Sequence, residues 1–134
     1  MKTLLTIALL TLTGCSVTNV ITPANSTGAT FQSTASPERT YRNVLDAVRK
    51  CYPRLTVETG YFPEAREGSI NLSIRHDSSV RIELIDVQVA PPPRGLGAAI
   101  VTLRAAKGYE DFLAALPHWV EAVSDPCPYG AVLS

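Results

Sequence analysis

The sequence predicts a two-layer α+β domain, with an antiparallel sheet of four to five strands packed against two helices. Three observations predict it. A segment around residue 45 repeats apolar residues at helical spacing, four segments between 55 and 105 alternate apolar with polar residues, and a second helical repeat follows residue 107. Alternating segments joined by short connections pair as antiparallel neighbours. A sheet that is polar on one face buries its other face under both helices.

Each element has its own signals. "TFQST" at 30–34 reads as a first strand. In "SPERTYRNVLDAVRKCYP", Ser36 is suited to cap a helix, Pro37 to occupy its first position and Glu38 to face its positive end. Tyr41, Val44, Leu45, Val48 and either Cys51 or Tyr52 then recur on one face, and Pro53 stops the helix. Four strands are expected over 55–62, 69–76, 79–89 and 97–105. The third alternates through Val80, Ile82 and Leu84 and resumes at Val87 and Val89, so its phase slips near Ile85-Asp86, as a β-bulge would cause. "HDSS" at 76–79 marks a turn, and "APPPRGLG" at 90–97 a longer connection. The last segment, "KGYEDFLAALPHWVEAV", is helical by its Tyr109, Phe112, Leu113, Leu116, Val120 and Val123 spacing. Pro117 interrupts it, which implies either a kink or two short helices, because a proline inside a helix forfeits a hydrogen bond. The order strand–helix–four strands–helix resembles the helix-grip arrangement of some envelope-assembly lipoprotein domains. That likeness is one of element order alone, and fold does not imply function.

The N-terminal segment carries a sharper motif. Met1-Lys2 is followed by eleven uncharged residues, the layout of a secretory signal and too short to span a bilayer, which takes about 20 helical residues. It ends in Leu12-Thr13-Gly14-Cys15, which resembles the bacterial lipobox. That resemblance covers residues 1–16 and implies a diacylglyceryl group on the Cys15 thiol, cleavage before Cys15, and acylation of the new amine. Each buried methylene contributes about 0.8 kcal/mol, so three acyl chains would hold the protein to a membrane effectively permanently. Ser16 stands where an aspartate would mark retention at the inner membrane, which by the same resemblance favours the outer membrane.

This reading organises the remaining numbers. Removing 14 residues from 134 leaves 120, enough for one domain with its own core. The three segments expected are a signal peptide at 1–14, lipidated Cys15 with a flexible Ser/Thr/Asn-rich tether at 15–30, and a single periplasmic domain at 31–134. Formal charge is zero, with no basic surplus to neutralise phosphates, so nucleic acid is not an expected partner. With Cys15 lipidated, Cys51 and Cys127 remain as an even pair, and an oxidising envelope favours their bridging.

Searching for chemistry leaves little. The mature chain has two histidines, His76 at a turn and His118, which lies three residues from Glu121 on the last helix. Neither belongs to a recognisable nucleophile or metal motif, the latter usually needing three or four ligands. Glu64 with Glu67, and Glu83 with Asp86, are carboxylate pairs for which nothing in the sequence indicates a cleft. No catalytic residue, metal ligand or cofactor is expected. The interaction candidates are Pro91, Pro92, Pro93 and Arg94, stiff and extended, and the Tyr61-Phe62-Pro63 stretch. Trp119 either caps the core or stands exposed as an anchor. The expected function is that of a lipid-anchored, non-catalytic envelope protein. It would contact an envelope protein partner at the outer membrane, facing the periplasm or the cell surface. The alternative is a carrier enclosing an apolar ligand between helix and sheet.

Overall fold

A computed structural model describes residues 17–75, 77, 79–94, 98–123, 126 and 127. Five strands form an antiparallel sheet: β2 (Ser26–Ser33), β3 (Thr56–Phe62), β4 (Glu67–Arg75), β5 (Val80–Ala90) and β6 (Ala99–Ala106), in the spatial order β2-β6-β5-β4-β3. A short β1 (Val17–Asn19) joins it in parallel, pairing with β5 from Val17 opposite Val80 to Asn19 opposite Ile82. Two helices, α1 (Pro37–Cys51) and α2 (Asp111–Val120), pack on the sheet, giving the expected two-layer α+β fold.

The register explains the layers. Ile70 lies opposite Val87, Val87 opposite Leu103, and Leu103 opposite Ala29, so one continuous apolar row crosses four strands. Leu72, Ile85 and Ala105 form a second row. Alternation sends the intervening residues, Asn71, Asp86, Arg104 and Gly28, to the other face. The apolar rows meet Val44, Leu45 and Val48 of α1 and Phe112, Leu116, Trp119 and Val120 of α2 in one buried cluster. At roughly 1.5–3 kcal/mol for each large apolar side chain fully buried, these rows dominate the stability of the sheet–helix contact.

Helix α1 begins as its sequence requires: the Ser36 side chain accepts the Arg39 N–H at 3.3 Å, Pro37 occupies the first turn, and Glu38 pairs with Arg42 at 2.7 Å. Asn43, off the apolar stripe of α1, donates to the Val120 carbonyl at 3.1 Å and ties α1 to the end of α2. The phase slip in β5 is real and lies one residue earlier than expected. Leu72 pairs with Ile85 and Ser73 with Glu83, so Leu84 is the extra residue of a bulge. Ile85, rather than Leu84, therefore joins the row under the helices.

Two expectations are corrected. The uncharged stretch expected to be a tether as far as residue 30 contributes β1 and the first half of β2. Its Val, Ile and Thr residues are β-branched, and that preference outweighs the general polarity of the segment once β5 and β6 offer partners. The last helix is a single element that contains Pro117 and ends at Val120, three residues before Val123. There Ala122 adopts a left-handed conformation (φ 52°), its N–H bonding Trp119 O and the Val123 N–H bonding His118 O. This is a Schellman closure, built on alanine where glycine is usual.

Candidate functional site

The strand directions give the sheet two distinct ends. At one end lie the starts of β1 and β5, the end of β4, the start of β3 and the end of β6. At the other lie Phe62, Glu67, Ala90, Ala99 and Ser33. The interaction candidates expected from the sequence collect at this second end. Phe62 is 61% exposed, the largest exposure among the big apolar side chains described, and it sits on the polar face of edge strand β3. Pro91, Pro92, Pro93 and Arg94 leave β5 two strands away, with Pro93 and Arg94 exposed. Two strand spacings are about 10 Å, so one partner surface could touch both.

An open cleft of about 400 Å³ occupies the same end, a feature that sequence periodicity alone could not announce. Ser33 and Thr34 at the end of β2, Arg39 and Asn43 of α1, and Glu121 and Ala122 beyond α2 line it. Its walls come from the consecutive β2 and α1 and, from far along the chain, the end of α2 at Val120. Arg39 and Glu121, both exposed, bring one charge of each sign to its wall. Beneath it, Thr40 Oγ1 and Ser33 Oγ are buried and hydrogen-bonded at 2.8 Å, which satisfies both hydroxyls.

The sheet's polar face centres on Arg81. Its guanidinium donates to Glu58 at 2.9 Å, Asn71 at 3.0 Å and Ser73 at 3.2 Å, and lies 3.6 Å from Glu83. This network crosses β3, β4 and β5 and leaves the guanidinium well supplied with acceptors, so its chemistry is structural. Glu83 also accepts the Ile21 N–H at 2.9 Å, clasping the chain just after β1. Asp86, the other member of the sequence pair, instead accepts from Gln88. Glu64 and Glu67 are exposed at the β3–β4 turn.

Cys51 and Cys127 are bridged, with Cα atoms 5.2 Å apart, joining the last residue of α1 to the tail beyond α2. Trp119 is corrected as a partner residue: it is fully buried, its indole N–H donates to the Pro126 carbonyl at 3.0 Å, and its ring packs near Tyr52 and Phe112. His118 is exposed on α2, and among the described residues no group of three or more His, Cys, Asp or Glu side chains could hold a metal ion. Cys15 and His76 lie outside the described residues. No helix among the described residues is long and apolar enough to cross a membrane. Comparison with protein-family models, curated proteins and solved structures gives no match for this chain.

Proposed function

We propose that this chain is a lipid-anchored envelope domain that works by holding a protein partner rather than by catalysis. The observation that carries the reading is the Cys51–Cys127 bridge. Of three cysteines, it consumes the two inside the domain and leaves Cys15, the residue of the lipobox-like motif, with no partner for an intramolecular disulfide. An odd thiol in an exported chain needs an explanation, and acylation supplies one. The Ser16 that follows Cys15 favours the outer membrane. Partner contact is supported by the placement of exposed Phe62, the Pro91–Arg94 connection and, at the far edge strand β2, the open cleft at one end of the sheet. An apolar side chain on a polar rim beside a stiff loop loses little entropy when it docks. The carrier alternative has less support, because the Val, Ile and Leu side chains between sheet and helices pack with one another in a single cluster.

Intact-mass analysis of the membrane-extracted protein tests the anchor: the mature chain should begin at Cys15 with three acyl groups. Photo-crosslinking in cells, with the reactive residue placed at position 62 or 94, tests the contact. A defined adduct that weakens when Arg39→Glu is added supports the reading. Adducts formed only with abundant envelope proteins, in proportion to their amounts, would overturn it.

A further inference from the structure

We infer that the anchor holds the domain in one orientation, with the end of the sheet where β4 finishes and β5 begins against the membrane and the Phe62/Pro-rich end directed away from it. This deepens the function just proposed and rests on the acylation of Cys15. The inference comes from β1. Val17 pairs with Val80, the first residue of β5, and β1 runs parallel to β5. Val17, where β1 begins, therefore lies at the end of the sheet where Arg75 closes β4 and Val80 opens β5. Cys15 is two residues upstream, and two residues span at most about 7 Å even when fully extended. Acyl chains on Cys15 would bring this end of the sheet to the lipid headgroups, with no room for a tether between them.

Two further contacts hold the arm down. Glu83 accepts the Ile21 N–H, and Asn25 accepts the Thr22 N–H while donating to the Val20 carbonyl, so the arm is pinned on both sides of its turn into β2. At the same end the Asp77 carboxylate accepts from the Ser79 N–H and hydroxyl and from the Val80 N–H, which fixes the start of β5. Along β5 from Val80 to Ala90 the sheet extends about 33 Å, which sets the height of the opposite end above the bilayer. Charge does not dictate this pose. The segments flanking the strands at the lower end carry Arg54, Arg75 and Lys107 but also Asp77, Glu110 and Asp111, so the orientation is a consequence of chain geometry and should survive high salt.

The test uses the full lipidated chain in phosphatidylethanolamine/phosphatidylglycerol vesicles that carry a headgroup nitroxide on a minor fraction of the lipid. Arg75→Cys and Arg94→Cys, both at exposed positions, receive the same fluorophore. Several-fold stronger quenching at 75 than at 94, unchanged in high salt, is the expected result. Equal quenching of both labels on protein whose mass confirms acylation overturns the orientation and leaves the anchor standing. A mass without acyl groups removes the anchor and the orientation together. Inserting a ten-residue Gly/Ser linker between Ser16 and Val17 should abolish the difference, and a difference that persists with the linker overturns the short-reach argument.

Discussion

The Tyr41 ring lies directly over the backbone at Gly68, so that a methyl group built there would overlap the ring. Tyr61, which pairs with Gly68 across the strands, stacks its ring 5.2 Å from that of Tyr41. A glycine in a strand thus gives an aromatic ring from the helix its place on the sheet. Gly68→Ala should destabilise by about 1–3 kcal/mol, the usual cost of overpacking. Urea titration measures it, and a much smaller loss in a Tyr41→Leu background would identify the ring as the cause. The sequence showed Tyr41 as a core residue of α1 but could not reveal what lay beneath it, because helical periodicity gives a face and not its neighbour. A second residue-scale prediction concerns Tyr52. Burial disfavours its charged form and pushes the hydroxyl from the usual 10.0 up to about 12. Above pH 10 the unfolded chain releases this proton while the folded chain keeps it, so stability present below pH 10 is lost as pH rises towards 12. Thermal melting between pH 9 and 12 should show this loss in the parent and a flatter profile in Tyr52→Phe.

Elements were legible in proportion to the regularity of their own patterns. The alternation in β3 to β6 located those strands to within about two residues, since a half-buried sheet writes its register directly into the sequence. Helix α1 was equally plain because cap, proline and apolar stripe agreed. Harder to see were β1 and the start of β2, where Ser26, Thr27 and Gly28 give no alternation and the pairing partner decides the conformation. The end of α2 was missed for a related reason: Val123 fits the helical spacing, but the backbone turns left-handed at Ala122. Left-handed conformation costs an L-residue about 1–2 kcal/mol, and glycine escapes it at an entropic penalty of its own. Ala122→Gly should therefore raise stability by roughly 0.5–1 kcal/mol, visible as a higher urea midpoint at unchanged slope. A lower midpoint would mean that the Ala122 methyl contributes to packing at the cleft, whose wall it helps to form.

On the scale of the whole molecule, the bridge between Cys51 and Cys127 has the longest reach. It closes a segment of 76 residues that contains β3 to β6 and α2, so every strand except β1 and β2 lies within the loop. The pairing was legible from cysteine arithmetic, whereas the gathering of Phe62, Pro91–Arg94 and the cleft at one end was not, because it depends on strand directions that only the assembled sheet defines. The chain-entropy model assigns about 4–5 kcal/mol to a loop of this length, a large share of the roughly 5–15 kcal/mol by which domains are stable. Cys51→Ala/Cys127→Ala should lower the unfolding free energy by about that amount, measured by urea unfolding beside the parent under oxidising conditions. Some attachment of the tail persists without the bridge, since the Trp119 indole still donates to the Pro126 carbonyl. Adding Trp119→Phe to the double variant should thus cost more than removing a single hydrogen bond, about 1 kcal/mol, because the tail would lose its indole tie to α2 together with part of the buried ring packing. An unfolding free energy unchanged by loss of the bridge would show that packing and the Trp119–Pro126 hydrogen bond hold the tail without it.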